Sequence, residues 1–431
     1  MEQLLQIAKA NAEQAEIYYT NTTEDIIQFE DSNLKSAKTN LTSGVALRVI
    51  KDGKIGFAYT CNLLNRDDLV KQALNSAVAG AKVQFDFPKT EKVIGIKTFD
   101  PKIKNLDKKR LVEETKEVIR YIKSKCDAQI HVYIYNGTIE KGIINSSGTN
   151  LCEKKSDFSF ILTLFFPGTA NHLSDSIYNR KQVSVMDKAK IDQLLELYAL
   201  NKERINLPTA KMPVILMPKA VHSFVGRFDK AIHPATFENK TSPLLNKLEQ
   251  KIFSDQLTIY QDPLDDSYIE ASAFDGEGVA CQKTIFVDKG IFKNFYTDLN
   301  YAAKLNTKST GNGGRNGIES PVNPKVNYYS IAVGNKSLAE MIAGIEEGIL
   351  IYSLMDIYTG NTLAGDYSVG VATGFYIKNG KLIGRVKECM ISGNIYETLN
   401  RISAIENEVH FFGYGNMPAI AFEEISVAGT E

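Results

Sequence analysis

The chain has 431 residues, with 50 basic and 51 acidic side chains and a formal net charge of −1. That balance withholds the basic excess from which a dedicated nucleic-acid binder draws much of its affinity, so no direct nucleic-acid partner is expected. No apolar run reaches the roughly 18–20 residues of a membrane span, and residues 1–17 lack a basic segment followed by an apolar stretch, so neither membrane association nor a signal peptide is expected.

Residues 3–12 read as a short helix. Alternating segments at 15–20, 25–30, 44–50 and 54–60 read as strands, the last two joined by Lys51-Asp52-Gly53, a strong local hairpin signal. Asn65 is placed to cap a helix whose apolar face carries Leu69, Val70, Ala73, Leu74, Ala77, Val78 and Ala81. A polar connector over 86–104 leads to Asp107, the expected cap of a second helix with Leu111, Val118, Ile119 and Ile122 at helical spacing. Residues 128–166 are strand-rich, and Asn136-Gly137 reads as another hairpin turn; 187–199 reads as a helix.

The stretch 201–213 is polar with two prolines, and the main domain boundary is placed near it. Beyond it come a strand at 213–217, a helical turn or longer at 220–228, and hairpins around Lys289-Gly290 and Asn379-Gly380. Ser337 and Glu340 form a capping box ahead of a short helix. Residues 44–54 echo 370–381, as two hairpins would. The pattern indicates an α+β protein of two domains. Residues 1–205 form an N-terminal antiparallel sheet with helices, and 206–431 a mostly β domain, barrel- or sandwich-like.

The five cysteines (Cys61, Cys126, Cys152, Cys281 and Cys389) form no CxxC pair, which points to reduced, mostly buried thiols in a cytoplasmic protein. The five histidines never fall four residues apart, so the H-E-x-x-H arrangement is absent; His222 and His233, eleven apart, are the remaining candidates for a rearranged metal site. No G-x-S-x-G elbow or P-loop occurs. The glycine-rich segment 309–317 reads as a flexible surface loop or a backbone-lined ligand cleft. Asp275 and Glu277 among glycines, and Asp366 between Gly365 and Gly370, mark tight turns or places where a peptide backbone approaches closely.

In order along the chain, Phe274-Asp275-Gly276-Glu277-Gly278-Val279, Lys308-Ser309-Thr310-Gly311-Asn312, Ala364-Gly365-Asp366-Tyr367-Ser368, Ile391-Ser392-Gly393-Asn394 and Val427-Ala428-Gly429 resemble elements of the TldD/PmbA family, whose older name is modulator of DNA gyrase. The hairpin at 44–58 resembles the family's start, so the likeness covers nearly the whole chain. The third element departs from the family at Ala364 and Val369. The charge balance gives a link to DNA no support.

The resemblance implies a metalloprotease-related protein. TldD-like members carry H-E-x-x-x-H on a helix and a later cysteine as zinc ligands; PmbA/TldE-like members lack them and pair with a TldD-like subunit. Here the corresponding stretch, 220–228, has His222 but neither the Glu nor the second His, and 410–417 has no cysteine. The resemblance therefore implies a PmbA/TldE-like subunit, with no cofactor in this chain and zinc in a TldD-like partner. Asp275, Glu277, Asn312, Asp366, Tyr367 and Ser368 are the expected lining of a peptide-binding cavity. The alternatives are a non-catalytic peptide-binding homodimer and a hydrolase with a rearranged metal site.

Overall fold

The computed structural model describes residues 1–180, 182–355, 359–413 and 415–430. Six strands pair in the order β3-β2-β1-β4-β5-β6, every neighbour antiparallel: β1 (Gln14–Glu30), β2 (Asn33–Lys51), β3 (Lys54–Thr60), β4 (Gln129–Asn145), β5 (Asn150–Phe165) and β6 (His172–Asn179). The turn between β2 and β3 places Asp52 and Gly53 at φ 51° and 67°, the left-handed conformation an Asp-Gly pair supplies.

Two expected breaks are absent. The segments 15–20 and 25–30 belong to one 17-residue strand. Asn136-Gly137 is not a turn but lies inside β4, where Asn136 faces Asp25 and Phe158 and Gly137 faces Glu24 and Asp157. With a long strand on each side, β4 keeps both ladders of hydrogen bonds by running straight through the pair. The reversal into β5 falls later, around Gly148 at φ 107°.

Helices α1 (Glu2–Asn11), α2 (Arg66–Val78), α3 (Lys108–Lys123) and α4 (Lys188–Ala199) cover one face of this sheet. Asn65, Asp107 and Asp187 each accept a hydrogen bond from the third residue onward, at 3.1, 3.1 and 2.9 Å, and so start the last three helices. Ile17, Leu47 and Val49 pack against Leu4, Leu69 and Ala73, while Phe29, Val132 and Leu162 pack against Leu111, Ile119 and Leu194. Val78 departs from expectation at 75% exposed. It stands one residue, about 100° around the axis, from buried Ala77, and Ala81 lies beyond the helix end.

The opposite face alternates with this apolar one and is charged. Glu16 stands directly across from Arg48, Lys141 from Glu153, and Lys155 and Asp157 follow at two-residue spacing.

In the second half, β7 (Ala210–Leu216), β8 (Glu347–Leu354), β9 (Asp366–Lys378), β10 (Met390–Asn394) and β11 (Ile420–Ala428) pair in the ring β8-β7-β11-β10-β9, closed by β9 on β8. The result is a five-stranded barrel. Alternate residues enter two different clusters: Val214, Leu216, Ile349 and Ile351 join one, Ile215 and Leu350 the other. Strands buried on both faces explain why these segments read as unbroken apolar runs. The second cluster also holds Phe29, Leu162 and Leu194, so the barrel shares a core with the N-terminal sheet and helices.

Helix α5 (Pro218–Ile232) is longer than the expected 220–228 and packs Val221, Phe224, Val225 and Phe228 against barrel residues. Helix α6 (Leu338–Ala343) begins with the expected capping box. The turns at Lys289-Gly290 and Asn379-Gly380 are left-handed as expected, at φ 47° and 78° and at 48° and 72°. All five cysteines are free, but only Cys281 and Cys389 are buried; Cys61 and Cys152 are exposed. No helix among the described residues is long and apolar enough to cross a membrane.

Candidate functional site

The charged face of the sheet is roofed by loops from the second half of the chain. Between them lies a cavity of about 320 Å³ lined by β4 and β5 residues and by the loops around 269–276 and 311–315.

Asp275 locks this roof. Its Oδ1 accepts the N–H groups of Glu277 and Val279 at 2.8 and 2.9 Å, and its Oδ2 accepts Gly313 N–H at 2.8 Å. Gly276 must be glycine, because a Cβ there would sit 2.7 Å from Gly313 O. Burial first, then the charge of Glu277, pushes the Asp275 carboxyl up to about 7.

Behind the wall runs a chain of buried ion pairs. Arg48 grips Glu16 through Nε and Nη2 at 2.8 and 2.7 Å and Glu277 through Nη1 at 2.9 Å. Arg315 reaches Glu16 at 2.6 Å and stacks over the Tyr18 ring, 4.6 Å from its centroid. The other oxygen of Glu277 accepts Leu299 N–H at 2.8 Å. Asn312 exchanges two hydrogen bonds with Gln261, donates to Lys325 O and accepts from the Thr310 hydroxyl.

The six expected site residues do not share one cavity. Asp275 and Asn312 line it, and Glu277 sits behind the wall, 1% exposed. Asp366, Tyr367 and Ser368 lie on β9, where Asp366 Oδ1 accepts Asn394 Nδ2–H at 2.9 Å and the Tyr367 hydroxyl meets that of Thr398 at 2.8 Å. Ser368 O accepts the Thr359 hydroxyl at 2.6 Å.

Arg227 joins this second group to α5. Buried to 2% exposure, it donates to Asp366 O at 3.1 Å, Thr359 O at 2.9 Å and Ser223 O at 3.3 Å, with its guanidinium 6.0 Å from the Tyr367 ring centroid.

A family model described as the PmbA/TldA metallopeptidase C-terminal domain matches residues 209–429, and one described as PmbA/TldA metallopeptidase domain 1 matches residues 15–81. The chain belongs to the PmbA/TldD family. An uncharacterised protein of Methanocaldococcus jannaschii is 26% identical over 98% of both chains. The metalloprotease PmbA homologue of Buchnera aphidicola is 30% identical, over 52% of this chain and 47% of that one. The fold is that of TldE from Thermococcus kodakarensis, with a TM-score of 0.92 at 22% identity over all of both chains.

The zinc centre that the family's metallopeptidase members imply needs histidine and carboxylate donors, and α5 lacks most of them. Along α5, Ser223 follows His222 and Arg227 comes five residues after it, where H-E-x-x-x-H has Glu and His. A guanidinium is a permanent cation without a lone pair to give. His222 sits in the second turn of α5 and His233 just past its end, eleven residues on and about 16 Å along the axis, too far to share an ion. Burial pushes both imidazoles down. Among the described residues no three His, Cys, Asp or Glu side chains converge as metal ligands do. These residues do not fit the zinc centre.

Sequence reasoning missed Lys141, Lys155, Asp157 and the Glu16–Arg48 pair. A signal was present: Arg48 is the lone charge in Val45-Ala46-Leu47-Arg48-Val49-Ile50, and Glu153, Lys155 and Asp157 share one side of a strand.

Proposed function

We propose that this chain is a PmbA/TldE-like subunit that lacks a family-type zinc centre of its own. It holds peptides or unfolded segments for a metal-bearing, TldD-like partner in the cytoplasm. Arg227 is the observation that carries this reading. It stands where a second histidine ligand would be, and each of its three nitrogens donates to a main-chain carbonyl, of Asp366, Ser223 and Thr359. The family membership and the metalloprotease names of relatives support the link to proteolysis. The loop-roofed cavity supplies a place for a peptide.

The test is reconstitution. The purified chain is mixed with a TldD-like protein, the mixture is run on size exclusion, and cleavage of a disordered peptide is followed. A stable complex that cleaves faster than the partner alone is expected, with zinc well below one per chain in this protein purified without chelator. One zinc per chain together with hydrolysis by this chain alone would overturn the proposal, as would the absence of any complex.

A further inference from the structure

Most polar groups beneath the roof are satisfied internally, but four on the cavity wall keep unspent hydrogen-bonding capacity. Lys155 Nζ makes no hydrogen bond to any described residue, and its ion-pair partner Glu153 Oε2 is 3.7 Å away. Arg315 donates through Nε to Gly276 O and through Nη2 to Glu16, yet its buried Nη1 has no partner. Asp157 and Glu270 accept no hydrogen bond from any described residue. A buried donor left unpaired forfeits its solvation without return, so Nη1 of Arg315 is costly to the fold as it stands. The four groups come in two signs: Lys155 and Arg315 on one hand, Asp157 and Glu270 on the other.

We propose that this cavity binds a short zwitterionic peptide of two or three residues, its carboxylate on Lys155 and Arg315 and its ammonium on Asp157 and Glu270. Spacing and size fit. Lys155 and Asp157 are two residues apart on β5 and leave one face about 7 Å apart. The charged ends of an extended dipeptide lie roughly two residue lengths apart, also about 7 Å. The cavity volume of about 320 Å³ sits at the small end of ligand pockets. Tyr18, Ile139 and Ile269 on the same wall offer apolar surface to the side chains. A metal or a bare anion would satisfy only one of the two signs. In taking a peptide as ligand, the proposal deepens the peptide-holding role and rests on it.

Titration calorimetry of the full chain with Ala-Leu, N-acetyl-Ala-Leu and Ala-Leu amide tests it. Ala-Leu is expected to bind, and each blocked form to bind about tenfold or more weakly, since each loses charge-assisted hydrogen bonds. Glu270→Gln, on an exposed loop, should weaken Ala-Leu and leave N-acetyl-Ala-Leu unchanged. Lys155→Met should weaken Ala-Leu and leave the amide unchanged, with thermal melts showing that each variant folds. Equal affinity for all three ligands, or no binding of Ala-Leu at millimolar concentration, overturns the assignment. Complex formation with a TldD-like partner is read separately. Loss of peptide binding with the complex intact refutes the cavity assignment and leaves the subunit role standing.

Discussion

Arg48→Met tests the buried ion chain most directly. The guanidinium makes three charge-assisted hydrogen bonds, two to Glu16 and one to Glu277, and lies 5.1 Å from the Phe87 ring centroid. Methionine retains much of the apolar packing and removes the charge. Glu16 keeps its contact with Arg315, whereas Glu277 is left with Leu299 N–H as its sole remaining donor among the described residues. The uncompensated charge is therefore Glu277, and breaking a buried pair in this way costs about 3–5 kcal/mol. That is a large share of the roughly 5–15 kcal/mol that holds a typical domain. Equilibrium unfolding in urea should show it, for Arg48→Met, Glu277→Gln and the pair. Once Glu277 is neutral the missing cation matters less, so the double variant should be more stable than the summed single losses by about 2 kcal/mol. If Arg48→Met stays within about 1 kcal/mol of the parent, or the single losses simply add, the chain of pairs is not what joins β2 to the roof.

Three further perturbations separate electrostatic from steric causes. Burial and the charge of Glu277 push the Asp298 carboxyl up to about 7. Its folded value is above its unfolded one, so its contribution is full below about pH 4 and fades as pH rises through 7, by up to about 1.4 kcal/mol per unit. Asp298→Asn keeps the cap on Tyr301 N–H (2.8 Å in the parent) and should flatten thermal stability between pH 5 and 7; parallel profiles would refute this. Gly53 and Gly290 occupy equivalent left-handed turn positions at φ 67° and 78°, but a Cβ at Gly53 meets nothing within 4 Å and one at Gly290 lies 2.2 Å from Phe253 O. Gly53→Ala should cost about 1 kcal/mol and Gly290→Ala about 3 kcal/mol or more, measured by chemical denaturation. Arg227→Lys should lose about 2 kcal/mol, because an ammonium does not reproduce the planar fork on three carbonyls; a melting temperature equal to the parent's would contradict that geometry.

Local signals in the sequence were strong where a single residue decides the outcome. Asp52-Gly53, Lys289-Gly290 and Asn379-Gly380 turn as their glycines dictate, and Asn65, Asp107 and Asp187 start helices where capping chemistry places them. Asn136-Gly137 carried the same local signal and failed, because β1 and β5 pair with β4 across it on both sides. A two-residue motif contains no information about neighbours more than a hundred residues away in sequence. A barrel was one of the two expected forms for this half, but the pairing that closes it, β8 on β9, was illegible for the same reason, although unbroken apolar runs such as Val214-Ile215-Leu216 did announce strands buried on both faces.

Two of the recognised motifs supply loops of the cavity roof, yet the groups left open to a ligand lie next to them. Glu277 spends one oxygen on Arg48 and the other on Leu299 N–H. Asn312 has both amide hydrogens and its oxygen engaged, and the Tyr367 hydroxyl is paired with Thr398. A side chain whose donors and acceptors are all satisfied inside the fold has nothing left to recognise a substrate without breaking what it holds. These residues shape and brace the cavity roof and the barrel mouth. Recognition falls to groups with unspent valence, and on the cavity wall those include Lys155, Asp157, Glu270 and Nη1 of Arg315. Of the four only Arg315 falls in a segment that stands out in the sequence, the glycine-rich 309–317; what distinguishes them is the bond they lack, and a missing partner becomes visible only when every neighbour is in place.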